Sequence, residues 1–279
     1  MIFGKRIIFI LCVTLSVAAL FTACSPKPYA ASNKKYKEQV KALNKQLSAR
    51  PITDIIADSL RQPAYWVGTT NFNLRKPNYV ILHHTAQNSC EQTLQTFTKE
   101  TAQVSAHYVI CADGTLHHML NDYLRAWHAG AGKWGQDADI NSASIGIEID
   151  NNGMVPFTEA QLNSLLGLLA TLKKTYNIPT GNFIGHADIA PGRKVDPNVY
   201  FPWKRLADSG YGKWFGDTTN VLLPADFNSS LALRIIGYDI SNLPAATQTF
   251  RRHFLQIDSP GELTEPEKKV LYLLMKEYL

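Results

Sequence analysis

Charge is scarce in this chain of 279 residues: Asp, Glu, Lys and Arg make up 18%, against 45% hydrophobic residues. A disordered chain has the reverse balance, with too little apolar surface to offset the entropy of ordering, so that class is excluded. Long apolar runs are scarce too. The only one lies at the very start, which excludes a multispan membrane protein. Four cysteines (Cys12, Cys24, Cys90 and Cys111) are too few for a disulfide scaffold of this length. Internal repeats and low-complexity blocks are absent. The length suits one large domain or two ordinary ones. A net charge of +5 and a pI of 8.9 raise the question of a nucleic-acid or membrane partner.

The position of the charge answers it. Residues 1–23 read as a secretory signal: Lys5 and Arg6, then an apolar core from Ile7 to Leu20, then small residues. The apolar core is short for a spanning helix. Phe21-Thr22-Ala23-Cys24 resembles a bacterial lipobox, with Phe21 where Leu, Val or Ile is usual. That resemblance implies a lipid on Cys24, and Ser25 resembles the signal for sorting to the outer membrane. Residues 24–50 form a tether with seven Lys or Arg and one Glu. The remainder, 51–279, has 19 basic and 22 acidic residues. The basic excess is thus confined to signal and tether, beside a membrane. No nucleic-acid motif accompanies it, and no such partner is expected.

Within the tether, Val40, Leu43 and Leu47 predict a weak helix over 34–50, lying on the main domain or on the membrane surface, and 53–62 predicts a second. From residue 78 strands and helices interleave. Strands are expected at 79–82, 106–111, 115–119, 144–149 and 182–185, with a hairpin turn at Asp113-Gly114. Helices are expected at 90–99 and at 158–176, the latter capped by Thr158. After about residue 224 the pattern is purely helical: 230–237, 245–255 and 265–279. The fold class expected is α/β (α+β): a central mixed β-sheet flanked by helices, with a small C-terminal all-helical module.

Seven of the eight histidines lie between 83 and 186. His83 ends an apolar strand, His186 follows a short one, and Asp196 lies ten residues further on a Pro/Gly-rich loop. Two imidazoles and a carboxylate make a common zinc set that leaves one tetrahedral position open. Glu148 interrupts the apolar strand Ser144–Ile149, a costly placement unless it faces a polar cavity, and one that suits a general base. Lys194, two residues before Asp196, could stabilise an oxyanion.

The strings VILHHTA (80–86), SAHYVICADGTLHHML (105–120), AWHAG (126–130), SIGIEIDNNG (144–153), GHADIAPGRKVDP (185–197) and FPW (201–203) resemble the type 2 N-acetylmuramoyl-L-alanine amidases, which share a fold with peptidoglycan recognition proteins. With the lipobox and helical tail, the resemblance is strongest to outer-membrane lipoprotein amidases of the AmiD type. It implies zinc on His83, His186 and Asp196, with Glu148 as catalytic acid/base and Lys194 as polarising cation. His83, not His84, is then the ligand. It implies four parts: signal 1–23, lipid-anchored tether 24–50, zinc amidase domain 51–218 and peptidoglycan-binding-like module 219–279. The substrate implied is peptidoglycan or its muropeptides, cleaved in turnover or recycling. The place implied is the periplasm, on the outer membrane of a Gram-negative bacterium, as a monomer. Trp127, His128, Asn141 and His107 are expected at the substrate, with Trp134 on the same groove wall. Asn198 stands where the family commonly has Gly, and its tolerance of left-handed backbone angles is expected to preserve the loop. The alternative is a non-catalytic peptidoglycan-binding lipoprotein of the same fold. Whether Cys90 and Cys111 pair is left open.

Overall fold

The computed structural model describes residues 27–48, 69–71, 73–74 and 76–279. The signal, Cys24 and the helix expected at 53–62 lie outside the described residues. The chain divides into two units, Met1–Thr70 and Asn71–Leu279. In the first, α1 (Ala30–Leu47) starts four residues ahead of expectation and buries none of its side chains. No helix among the described residues is long and apolar enough to cross a membrane.

The second unit is built on five strands: β1 (Tyr79–His84), β2 (Tyr108–Ile110), β3 (Leu116–His118), β4 (Ser144–Ile149) and β5 (Phe183–Gly185). Their order is β3-β2-β4-β1-β5. The β2–β3 hairpin is antiparallel and every other pairing is parallel, so the sheet is mixed as expected. Gly114, at φ 86°, takes the left-handed position in the hairpin turn.

Side chains alternate across a strand, and that period sets the two faces. Val80, Leu82, Ile145, Ile147, Ile149 and Phe183 face α4 (Glu159–Tyr176). That helix presents Leu162, Leu165, Leu169 and Leu172 at helical spacing, each worth roughly 1.5–3 kcal/mol when buried. Thr158 and Gln161 cap it reciprocally, and Asn177 closes it at φ 51°. Tyr79, Ile81 and Ile184 face the other way. They meet α7 (Ser229–Ile236), α8 (Leu243–Phe254) and α9 (Glu265–Glu277) in a second core that includes Leu233, Phe250, Leu271 and Leu274. The sheet is therefore covered on both faces, and its second cover comes from the C-terminal helices.

Two polar fastenings reinforce these layers. Cys90, at the start of α2 (Cys90–Thr98), is disulfide-bonded to Cys111 just beyond β2, with Cα atoms 5.2 Å apart. Asp188, in the short α5 (His186–Ile189), accepts from Gly185 N at 2.7 Å, Tyr238 Oη at 2.8 Å and His253 Nδ1 at 2.7 Å. The His253 ring stacks on Trp203, which opens α6 (Trp203–Asp208), at 3.9 Å. The turn that carries His186 is thus tied to two residues of the C-terminal region.

Candidate active site

Alternation also puts the site residues on one face. In β1, His83 continues the row Tyr79–Ile81. In β4, Ser144, Gly146 and Glu148 form the matching row. The parallel register pairs His83 with Glu148 and Ile81 with Gly146. Both polar residues come at the C-terminal ends of parallel strands, where α/β sheets place their ligands. His186 begins α5 directly after β5, and a backbone bond from Ala187 N to Asp196 O at 2.7 Å folds the following loop back on it.

The result is a tight cluster. His83 Nδ1 and His186 Nδ1 lie 3.0 Å apart, and each is within 3.0 Å of Asp196 Oδ2. All three residues are buried. Burial, and then the neighbouring His186, hold His83 down to about 4, so its ring is neutral at physiological pH. Glu148 behaves in the opposite sense. Burial, then the charge of Asp196, push its carboxyl up to about 8, with Lys194 opposing. Its Oε2 is shielded from solvent and has no hydrogen-bond partner. An orphaned buried carboxylate oxygen is costly in a purely structural position, so it points to a chemical role. Two imidazole nitrogens and a carboxylate oxygen at this separation fit a small divalent cation, and the donor set suits zinc.

An open groove of about 360 Å³ lies over the cluster. Thr93, Thr96 and Phe97 of α2 line it, as do Trp127, Arg193 and Lys194.

Residues 73–199 match the family model described as N-acetylmuramoyl-L-alanine amidase. The chain is 31% identical over 232 residues to N-acetylmuramoyl-L-alanine amidase AmiD of Escherichia coli, covering 71% of this chain and 82% of that protein. The chain belongs to the N-acetylmuramoyl-L-alanine amidase family. This amidase is also 40% identical over 108 residues to the 1,6-anhydro-N-acetylmuramyl-L-alanine amidase AmpD of Haemophilus influenzae, covering 38% of this chain and 59% of AmpD. Among solved structures, Escherichia coli AmiD with anhydro-N-acetylmuramic acid-L-Ala-D-gamma-Glu-L-Lys superimposes at a TM-score of 0.66. It is 25% identical, covering 78% of this chain and 97% of that one. AmpDh3 of Pseudomonas aeruginosa matches at 0.66 with 27% identity, covering 78% and 99%. The amidase is therefore an enzyme, and the binding-only alternative falls away.

The structure corrects two of the four residues expected at the substrate of the amidase, His107 and Asn141. His107 is fully buried away from the groove: its Nε2 donates to Leu124 O at 2.9 Å, and its Nδ1 accepts from Gly146 N at 3.1 Å. Asn141 is buried too, its Oδ1 accepting from His128 N at 3.0 Å and Ala129 N at 2.9 Å. His128 lines the groove floor, with its ring nitrogens toward His83 and Ser144. Trp127, 49% exposed, is the one that stands on the groove rim. Trp134 does not line the groove; it packs into the C-terminal core beside Tyr238. Asn198 keeps an ordinary φ, and it serves the loop through hydrogen bonds to Asn151 Oδ1 and Val155 O instead. His84 lies outside the donor cluster, its ring against Gly153.

Proposed function

We propose that this amidase depends on one zinc ion held by His83, His186 and Asp196. Its reaction is hydrolysis of the amide between the lactyl carboxyl of N-acetylmuramic acid and L-alanine of the stem peptide. The observation that carries the reading is the mutual approach of the three donor atoms, 2.9–3.0 Å, beneath the groove. When bound, zinc supplies Lewis acidity at the scissile carbonyl. Glu148 takes a proton from the attacking water and passes it to the leaving amine, a role that its raised pKa suits in both directions. Lys194, exposed on the groove side of Asp196, offsets the charge that develops on the carbonyl oxygen. Trp127 gives the sugar or peptide an apolar wall.

The substrates are muropeptides and the peptidoglycan they come from, processed in cell-wall turnover or recycling. AmiD and AmpDh3 have been solved with anhydromuramic peptides, which supports that class. Residues 51–218 carry the chemistry in this reading, and 219–279 add affinity for intact sacculi. Cys24 anchors the protein to the outer membrane, facing the periplasm. The Cys90–Cys111 disulfide supports an oxidising compartment.

Residues 25–279, purified and incubated with muropeptides, test this directly. They should contain about one zinc per chain and release stem peptides. Chelation should abolish release and added zinc restore it. Turnover in the metal-free, chelated protein would refute the zinc reading. For the anchor, Cys24→Ser should free the protein from the membrane fraction; undiminished membrane association would refute it.

A further inference from the structure

His128 touches a proposed zinc ligand but cannot reach the cluster itself, and the chemistry of its partners fixes the direction of its hydrogen bonds. A backbone carbonyl can only accept. Ser144 therefore donates its single hydroxyl proton to Ile140 O, 2.6 Å away. What Ser144 Oγ offers His128 Nε2, at 3.2 Å, is a lone pair, so Nε2 carries the proton. A neutral imidazole then has only a lone pair at Nδ1. That atom lies 3.1 Å from His83 Nε2, which must be the donor. The remaining nitrogen of His83, Nδ1, is left with its lone pair toward Asp196 and His186.

His186 reaches the same tautomer by a shorter route, its Nε2 donating to Ala129 O at 3.3 Å. Two adjacent residues, 128 and 129, thus orient both rings, and Asn141 Oδ1 pins both of their amides. Space for the His128 ring comes from Gly146. A Cβ there would meet ring atoms of His128 at 2.4–2.7 Å. Lone pairs of three buried donors then face one another, an arrangement that repels until a cation sits among them.

We propose that His128 is a positioning residue, which holds the proton of His83 on Nε2 through the Ile140–Ser144–His128 relay and so keeps His83 Nδ1 ready to bind the metal. The proposal rests on the zinc reading above and adds to it a residue outside the three-ligand cluster.

Two measurements on the folded protein decide it. The first is the 15N shifts of the His83 ring in the metal-free wild type, which should show Nε2 protonated and Nδ1 bare. The second is zinc affinity by chelator competition. His128→Phe, which keeps a ring but removes the acceptor, should bind zinc about 10–100-fold more weakly. His128→Asn, whose Oδ1 can stand in for Nδ1, should recover most of that loss, which a merely space-filling role would not predict. A proton on His83 Nδ1 in the wild type overturns the proposal, as does His128→Phe binding zinc like wild type. Should His128→Phe not fold, Ser144→Ala takes its place: weaker zinc binding with a mixed His83 tautomer supports the relay, and wild-type behaviour in both overturns it. A wild type that binds no zinc defeats the zinc reading instead, and the tautomer measurement still decides the role of His128.

Discussion

Glu148 and Lys194 are the side chains whose removal separates chemistry from metal binding. Glu148→Gln keeps the shape and loses the proton carrier. Zinc content by elemental analysis should stay at the wild-type level, while turnover falls about 10²–10⁴-fold. Lys194 acts on Glu148 through charge: it lowers the pKa that burial and Asp196 raise. Glu148 must be ionised to accept a proton. With Lys194→Met its pKa rises, so the acidic limb of the kcat/KM profile should move to higher pH as kcat falls. A limb that stays in place would remove Lys194 from the charge environment of Glu148. At this scale the sequence was legible where a residue type violated its surroundings, as a Glu between two isoleucines does. His107, His128 and Asn141 carried no such signal. Their string was recognisable, but the direction of a loop side chain depends on backbone angles that only the packed structure sets.

The elements fall into two groups. Strands β1 and β4 and helix α4 were legible because period and caps agree: the apolar run Tyr79–Leu82 in the first, isoleucines at every second position in the second, a leucine stripe with Thr158 before it in the third. The short α3 (Ile140–Ala143), α5 and α6 were not. A helix of four to six residues cannot offset its own nucleation cost, so the tertiary contacts around it decide whether it forms. Helix α9 illustrates a cap that also joins elements. Glu267 accepts from Thr264 N at 2.7 Å and pairs with Arg251 of α8 at 2.8 Å. Arg251, then Thr264, hold its carboxyl at about 2. A depressed folded pKa stabilises above the ordinary value of 4.5 and loses that stabilisation as pH falls through about 2. Glu267→Gln should therefore lower Tm at neutral pH and flatten the dependence of Tm on pH across that window; parallel curves for the two proteins would contradict it. Gly237 marks another junction. At φ 134°, and with a Cβ only 2.4 Å from the Trp134 ring, it has no room for alanine. Gly237→Ala should cost about 1–3 kcal/mol in denaturant unfolding.

For the whole molecule the decisive fact is the shared second core. Sequence texture separates a mixed α/β stretch from a helical one near residue 224, yet Ile81 and Ile184 of the sheet pack with Leu233, Phe250 and Leu271. Texture reports local preference, and burial across a boundary leaves no local mark. A chain ending at residue 218 should expose that face of the sheet and be recovered aggregated or with a collapsed thermal transition. Within the intact chain, Leu271→Ala should cost about 2–5 kcal/mol. A soluble, cooperatively melting 1–218 fragment would show that the helices are dispensable for folding.

The same core imposes an order in time. Ribosomes deliver the last strand, Phe183–Gly185, well before Leu274, so one side of the central sheet stays greasy and uncovered while about ninety further residues are made. The enzyme can close only when its last helix arrives, which makes maturation an event of the finished chain and leaves every shortened translation product open to aggregation.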